Sequence, residues 1–149
     1  MRDLRLYILM RTDMPSMSAG RACAQASHVT NVFMRDIGDK LDVAEWQSQT
    51  RFGFGTAIVL GVTIKQLDQV LDGIPEKFQA GTCTDPDYRI KIPKEAVELL
   101  VSGVIENQKH IKVNDVTGEA VVTGEVVTCA YIFGDAVELA PYLGQLPLY

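Results

Sequence analysis

The sequence predicts one α/β domain, and three observations carry that reading. An apolar run over residues 6–10, long enough for one buried strand, leads through a polar turn into a helix rich in small residues. A second strand over 56–62 is followed by a helix beginning after Thr63 and then by a third strand over 78–84. That is the order of a crossover between parallel strands. The chain has 149 residues, 47% hydrophobic and 22% charged, which matches one globular unit with its own core.

Taken in order, the polar turn Arg11, Thr12, Asp13 ends the first strand, and Pro15 keeps helix from starting there. Ser16 or Ser18 then caps a helix that runs to Phe33 or beyond, with Ala22, Cys23, Ala26 and Val29 as a small face able to lie close to a sheet. Such a strand–loop–helix junction gathers backbone N–H groups at the end of the sheet. Asp36, Gly38, Asp39 and Lys40 mark a break, and 41–49 reads as a short helix with Trp46 on its apolar side. The glycine-spaced stretch 52–55 reads as a bend before the second strand, because neither a lysine–serine pair nor a helix follows it directly.

Thr63 has the character of an N-cap, and Ile64, Leu67, Val70 and Leu71 recur at helical spacing. The third strand is expected to end at a turn over 85–88, at the carboxyl end where open α/β sheets place their sites. Residues 93–105 read as an amphipathic helix with Val97, Leu100, Val101 and Val104 inward. Residues 111–113 and 119–122 read as a hairpin around Asp115 and Gly118. The last long strand is expected over 126–133, then a closing helix shortened by Pro141.

The net charge of −5 argues against a protein that holds nucleic acid by bulk electrostatics. The acidity is uneven: residues 1–51 carry seven basic and six acidic side chains, and 52–149 carry seven and thirteen. A local basic patch of Arg11, Arg21 and Arg51 is therefore open to the fold. Cys23, Cys83 and Cys129 are odd in number and set in apolar surroundings, so they read as core residues. With two histidines and no Cys-x-x-Cys, no structural zinc is expected. No run is long enough to span a bilayer and no signal-peptide pattern opens the chain, so the expectation is cytoplasmic, with no membrane partner.

The stretch 6–34 resembles the opening of type II peptidyl-tRNA hydrolases, in which an apolar strand, an Arg-Ser/Thr/Asn-Asp turn and a Met-Gly-Lys-Gly-Lys-x-x-Ala-Gln-x-x-His helix head follow one another. Arg11, Thr12 and Asp13 match the turn, and Met17, Gly20, Arg21, Ala24, Gln25 and His28 fall in register with the helix. The first family lysine is Ala19 here and the second is Arg21. Asp85 takes the place of the family aspartate that closes the third strand at the catalytic centre. Thr128 matches the second threonine before the last strand, while Val126 stands at the first. Val137, Leu139, Gly144, Leu146, Leu148 and Tyr149 resemble the family ending. Only residues near 89–122, an insertion of about thirty residues, lie outside the resemblance.

The resemblance implies a three-layer α/β/α domain over the whole chain, 1–149, with a mixed sheet of about four strands and an inserted helix and hairpin near 89–122. It implies hydrolysis of the ester joining a peptide to the 3′ ribose of tRNA. That reaction needs a positioned water, a proton acceptor and donors for the tetrahedral oxyanion, and no metal or cofactor. Arg21, His28 and Asp85 are the catalytic candidates, with Asp85 or His28 as the base. Arg11, Thr12, Asp13, Ser18, Gly20, Gln25, Thr84 and Thr128 are the candidates for holding substrate. Each has a plainer reading: His28 as a satisfied structural histidine, Asp13 and Asp85 as turn residues, and Gln25 as a structural group bonded to the loop near Thr12. Tyr88 and Tyr149 read as packing residues. Arginine at position 21 keeps the charge but does not deprotonate, which suits binding better than proton transfer. A non-catalytic binder of tRNA ends or another phosphate ligand, and an interaction scaffold, are the alternatives. The partners implied are tRNA or peptidyl-tRNA, with a homodimer as one assembly open to the chain.

Overall fold

The computed structural model describes residues 1–14, 16–97 and 107–149. Its elements are β1 (Leu4–Arg11), α1 (Ala19–Ile37), α2 (Leu41–Ser48), β2 (Thr56–Val62), α3 (Ile64–Gly73), β3 (Gln79–Pro93), β4 (Asn107–Asn114), β5 (Glu119–Asp135) and α4 (Ala136–Leu143). Pro15 and most of the helix read over 93–105 lie outside the described residues; Lys94–Ala96 form a short 3-10 turn.

Among the described residues the sheet is mixed and has five strands in the order β2-β1-β5-β3, with β4 beside β5. β1 and β2 are parallel, and β5 runs antiparallel to β1, β3 and β4. Alternation along β1 builds two cores. Leu4, Leu6, Ile8 and Met10 face Ala22, Val29, Phe33, Val43 and Trp46 of α1 and α2. Tyr7 and Leu9 face the other way, in one cluster with Leu67 of α3 and with Leu139 and Leu143 of α4. This is an open α/β sheet with helices on both faces.

The helix boundaries follow local chemistry. Ser18 caps α1, its hydroxyl accepting from Arg21 N at 3.3 Å. Thr63 and Gln66 close a reciprocal capping box on α3. Asp135 caps α4 through Val137 N and Glu138 N, and Pro141 is accommodated within that helix. Gly55 is required by contact: a Cβ there would lie 2.2 Å from the Trp46 indole, whose Nε1 donates to Thr56 O at 2.9 Å. The tail completes the edge of β2, Gly61 N donating to Pro147 O and Tyr149 N to Val59 O.

β3 and β5 are longer than their sequence suggests. β3 passes straight through the turn expected at 85–88, and β5 starts at Glu119 rather than at 126. Two register shifts make this continuation possible. Cys83 pairs with Cys129 but Thr84 pairs with Val127, which leaves Thr128 as an extra residue in β5; Asp85 pairs with Val126 but Tyr88 with Gly124, which leaves one extra residue in β3. Pro86 lies within the second shift on an edge strand, where its missing N–H breaks no ladder bond. Each shift reverses which residues face α1. Cys83 in β3 and Cys129, Tyr131 and Phe133 in β5 join the core beneath α1, whereas Tyr88, Ile90 and Ile92 join Ala120, Val122 and Val126 in a separate cluster with Met14. Beyond the shifts, β3, β4 and β5 form a three-stranded arm. The expected hairpin is present, with Gly118 at φ 69° in the turn and Asn114 Oδ1 accepting from Val116 N and Thr117 N.

The helix face also differs from expectation. Ala22, Gln25, Val29, Phe33 and Ile37 are the buried positions of α1, and Cys23 is exposed. A residue next to Ala22 is turned by about 100° at 3.6 residues per turn, which takes Cys23 off the stripe.

Candidate functional site

The paired register shifts lie beside the second turn of α1, and a polar cluster forms there. Gln25 of α1, only 4% exposed, bonds to both strands. Its Nε2 donates to Asp85 Oδ2 at 2.7 Å, and its Oε1 accepts from Thr128 Oγ1 at 2.7 Å. Simple alternation would turn Thr128 away from Cys129. As the extra residue of the shift, it points to α1 with its neighbour, and the Cys129 thiol donates to Gln25 O at 3.5 Å. The second Asp85 oxygen, Oδ1, accepts from Asp87 N at 2.9 Å. Both carboxylate oxygens are therefore anchored, and each keeps a lone pair for a further donor.

Asp85 borders a groove of about 240 Å³ together with His28, Asn31, Val32, Cys83, Thr84 and Pro86. His28 and Thr84 are exposed there. The groove thus joins an anchored carboxylate, an imidazole and a hydroxyl. Asp85 and Thr128 are level with the carboxyl end of β1, since Met10 pairs with Cys129. Asp85 lies within β3 and not at its end, so the expected strand-end turn is corrected, while Thr128 lies within its strand as expected.

The loop after β1 is organised separately. Arg11 is 3% exposed; its Nε donates to Asp13 Oδ1 at 2.9 Å and its NH1 to Val127 O at 3.0 Å. Asp13 Oδ2 accepts from Ile64 N at the head of α3, at 3.0 Å. Burial works to raise the Asp13 pKa, but the bonds from Arg11 and Ile64 outweigh it and hold the carboxyl below the ordinary range. Thr12 is tied to β2, its N donating to Val62 O at 2.8 Å. These three residues brace β1 against β2, β5 and α3.

Arg21 reaches across to the arm. Its NH1 donates to Arg89 O at 2.6 Å, and its guanidinium carbon lies 5.2 Å from the centre of the Tyr88 ring. Tyr88 itself is buried, its hydroxyl 3.8 Å from Met17 Sδ, while Tyr149 is 48% exposed. Gly20 is exposed, and a Cβ there would meet nothing within 4 Å. The basic patch open to the sequence does not form. Arg11 is enclosed, and Arg51, stacked on Phe52 at 4.6 Å, precedes the start of β2, whereas Arg11 pairs with Val62 at its end.

The structure therefore brings Gln25, His28, Thr84, Asp85 and Thr128 together, sets Arg21 one turn before Gln25, and leaves Arg11, Thr12 and Asp13 as a brace. Gln25 bonds to Asp85 and Thr128, and not to the Thr12 loop as its structural reading had it. Cys83 and Cys129 are core residues, as expected, and Cys83 also lines the groove. One signal was available for Cys83, which is two residues before Asp85 and so shares its strand face. Among the described residues no three His, Cys, Asp or Glu side chains converge as metal ligands, and no helix is long and apolar enough to cross a membrane.

Fold and site together define an α/β domain with a carboxylate-bearing groove between its first helix and an edge strand. No protein-family model matches the chain, and no curated protein matches it in sequence.

Proposed function

We propose that the chain is a divergent relative of the type II peptidyl-tRNA hydrolases, acting on the ester between an N-blocked aminoacyl or peptidyl group and the 3′ ribose of tRNA. The observation that supports this reading is the Gln25-anchored Asp85 carboxylate opening into the same groove as His28 and Thr84. In the reading, Asp85 or His28 takes the proton from an attacking water, and the Thr84 hydroxyl donates to the substrate. Thr128, at 0% exposure, and Gln25 position the carboxylate without touching substrate. The reading takes tRNA or peptidyl-tRNA as partner and the cytoplasm as location; sedimentation of the purified protein decides between monomer and homodimer.

The test is release of free tRNA from N-acetylated aminoacyl-tRNA by purified protein. A rate above the buffer control that falls in Asp85→Asn supports the reading. A rate equal to buffer removes it, and a rate above buffer that Asp85→Asn leaves unaffected assigns the base to His28 and makes Asp85 an anchor only.

One observation favours a second reading, that of a binder of tRNA ends or another phosphate ligand. The helix head carries an arginine, already engaged by Arg89 O and Tyr88, where the family has a lysine, and arginine does not deprotonate. Arg21→Lys and Arg21→Ala separate the two. Activity that appears only with lysine marks the natural protein as a binder. Activity present in the wild type, largely kept with lysine and lost with alanine supports the hydrolase. Affinity for tRNA is recorded beside the rate at stated salt.

A further inference from the structure

Cys83 and Cys129 are directly opposed partners across the antiparallel β3–β5 pair, immediately before the first register shift. Opposed residues in such a pair have Cα atoms about 4.5–5.5 Å apart and side chains on one face. That spacing lies within the range of about 4.4–6.8 Å over which disulfides form. Both side chains are free thiols in the core beneath α1. They differ in access: Cys83, 5% exposed, lines the groove with His28, Thr84 and Asp85, whereas Cys129 is 0% exposed and does not line it. Cys129 Sγ also contacts Thr128 Oγ1 at 3.6 Å and Gln25 O at 3.5 Å, so the pair forms the floor of the polar cluster.

We propose that Cys83 and Cys129 form a reversible intrachain disulfide by exchange with a small-molecule disulfide admitted through this groove. The Cys83 thiolate attacks one sulfur of the small disulfide; a mixed disulfide forms and one small thiolate leaves. The Cys129 thiol gives up its proton and attacks Cys83 Sγ, so the intrachain bond forms and the second small thiolate leaves. Two protein thiols are oxidised, one small disulfide is reduced to two thiols, and the two protons go with the leaving groups. The order of attack follows from access and is supported by acidity. The neighbouring Cys129 side chain holds Cys83 below the ordinary thiol range against the opposing effect of burial, while the neighbouring Cys83 and burial push Cys129 up. Oxidation removes the Cys129 thiol hydrogen from Gln25 O and ties β3 to β5 at the point where Asp85 and Thr128 are positioned.

The test uses the full chain carrying Cys23→Ser, which removes the exposed thiol. Folded protein is incubated with 2-hydroxyethyl disulfide, alkylated and weighed intact. The expected result is loss of two hydrogens with no adduct and no alkylation, one crosslinked peptide containing Cys83 and Cys129, and full reversal by dithiothreitol. Adding Cys129→Ala should trap a stable mixed disulfide on Cys83, whereas adding Cys83→Ala should leave Cys129 unmodified until urea is added. Two alkylatable thiols after exposure, a stable adduct in the parent protein, or crosslinking between chains overturns the proposal. The readout counts thiols, so it stands or falls independently of ester hydrolysis.

Discussion

Thr128 donates its hydroxyl to the Gln25 side-chain carbonyl across 2.7 Å, with the two residues 0% and 4% exposed. A buried bond of this kind adds little in net terms, but leaving one partner unsatisfied costs about 1–3 kcal/mol. Gln25→Leu should therefore destabilise the protein by about 1–3 kcal/mol and Thr128→Val by about 1 kcal/mol, read by urea unfolding. The double variant should cost less than the sum, because each change orphans the same bond. Strict additivity would show that the two side chains are not coupled.

Asp85 is held at both oxygens yet faces the groove, so its removal should separate stability from activity. Asp85→Asn keeps one of the two acceptors, so it should destabilise by about 1–2 kcal/mol, and if Asp85 is the base it should lower ester release at least about 100-fold. Parallel unfolding curves and single-turnover rates measure both. A large loss of stability with unchanged rate would make the carboxylate a structural anchor only.

Asp13 links Arg11 to the head of α3, and its depressed pKa has a consequence for pH. A carboxyl bound more tightly as the anion contributes stability above its unfolded pKa and loses it as pH falls through the folded value. Asp13→Asn should destabilise by about 1–2 kcal/mol at neutral pH. The gap to wild type should close on acidification below the ordinary aspartate range. A constant gap from neutral to acid pH would mean that the anion contributes nothing.

Gly20 has neither a crowded Cβ position nor a positive φ, so the fold gives no reason for glycine there. Gly20→Ala should leave stability unchanged or raise it by up to about 1 kcal/mol through helix propensity. Loss of tRNA affinity in that stable variant would show that a ligand approaches the helix head closely. Full affinity would place the ligand elsewhere.

The sequence by itself determined the α/β class, a serine cap on α1 at Ser16 or Ser18, the cap at Thr63, the bend before β2 and the hairpin around Gly118. Each depends on periodicity or on a contact spanning a few residues, and both are written in local order. The sequence also brought forward Asp85, Thr128, Gln25 and His28 as candidates, without saying how they meet. Their meeting is a tertiary matter. Two single-residue register shifts, one in each of two paired strands, turn Thr128 and Cys129 to the same face and carry β3 past Asp85 and Pro86. Strand alternation assigns neighbouring residues to opposite faces and reads Asp-Pro-Asp as a turn, because an extra residue in one strand exists only relative to its partner. The brace role of Arg11 was hidden for the same reason: its acceptors Asp13 and Val127 lie two and 116 residues away, and only the folded sheet brings both to one guanidinium.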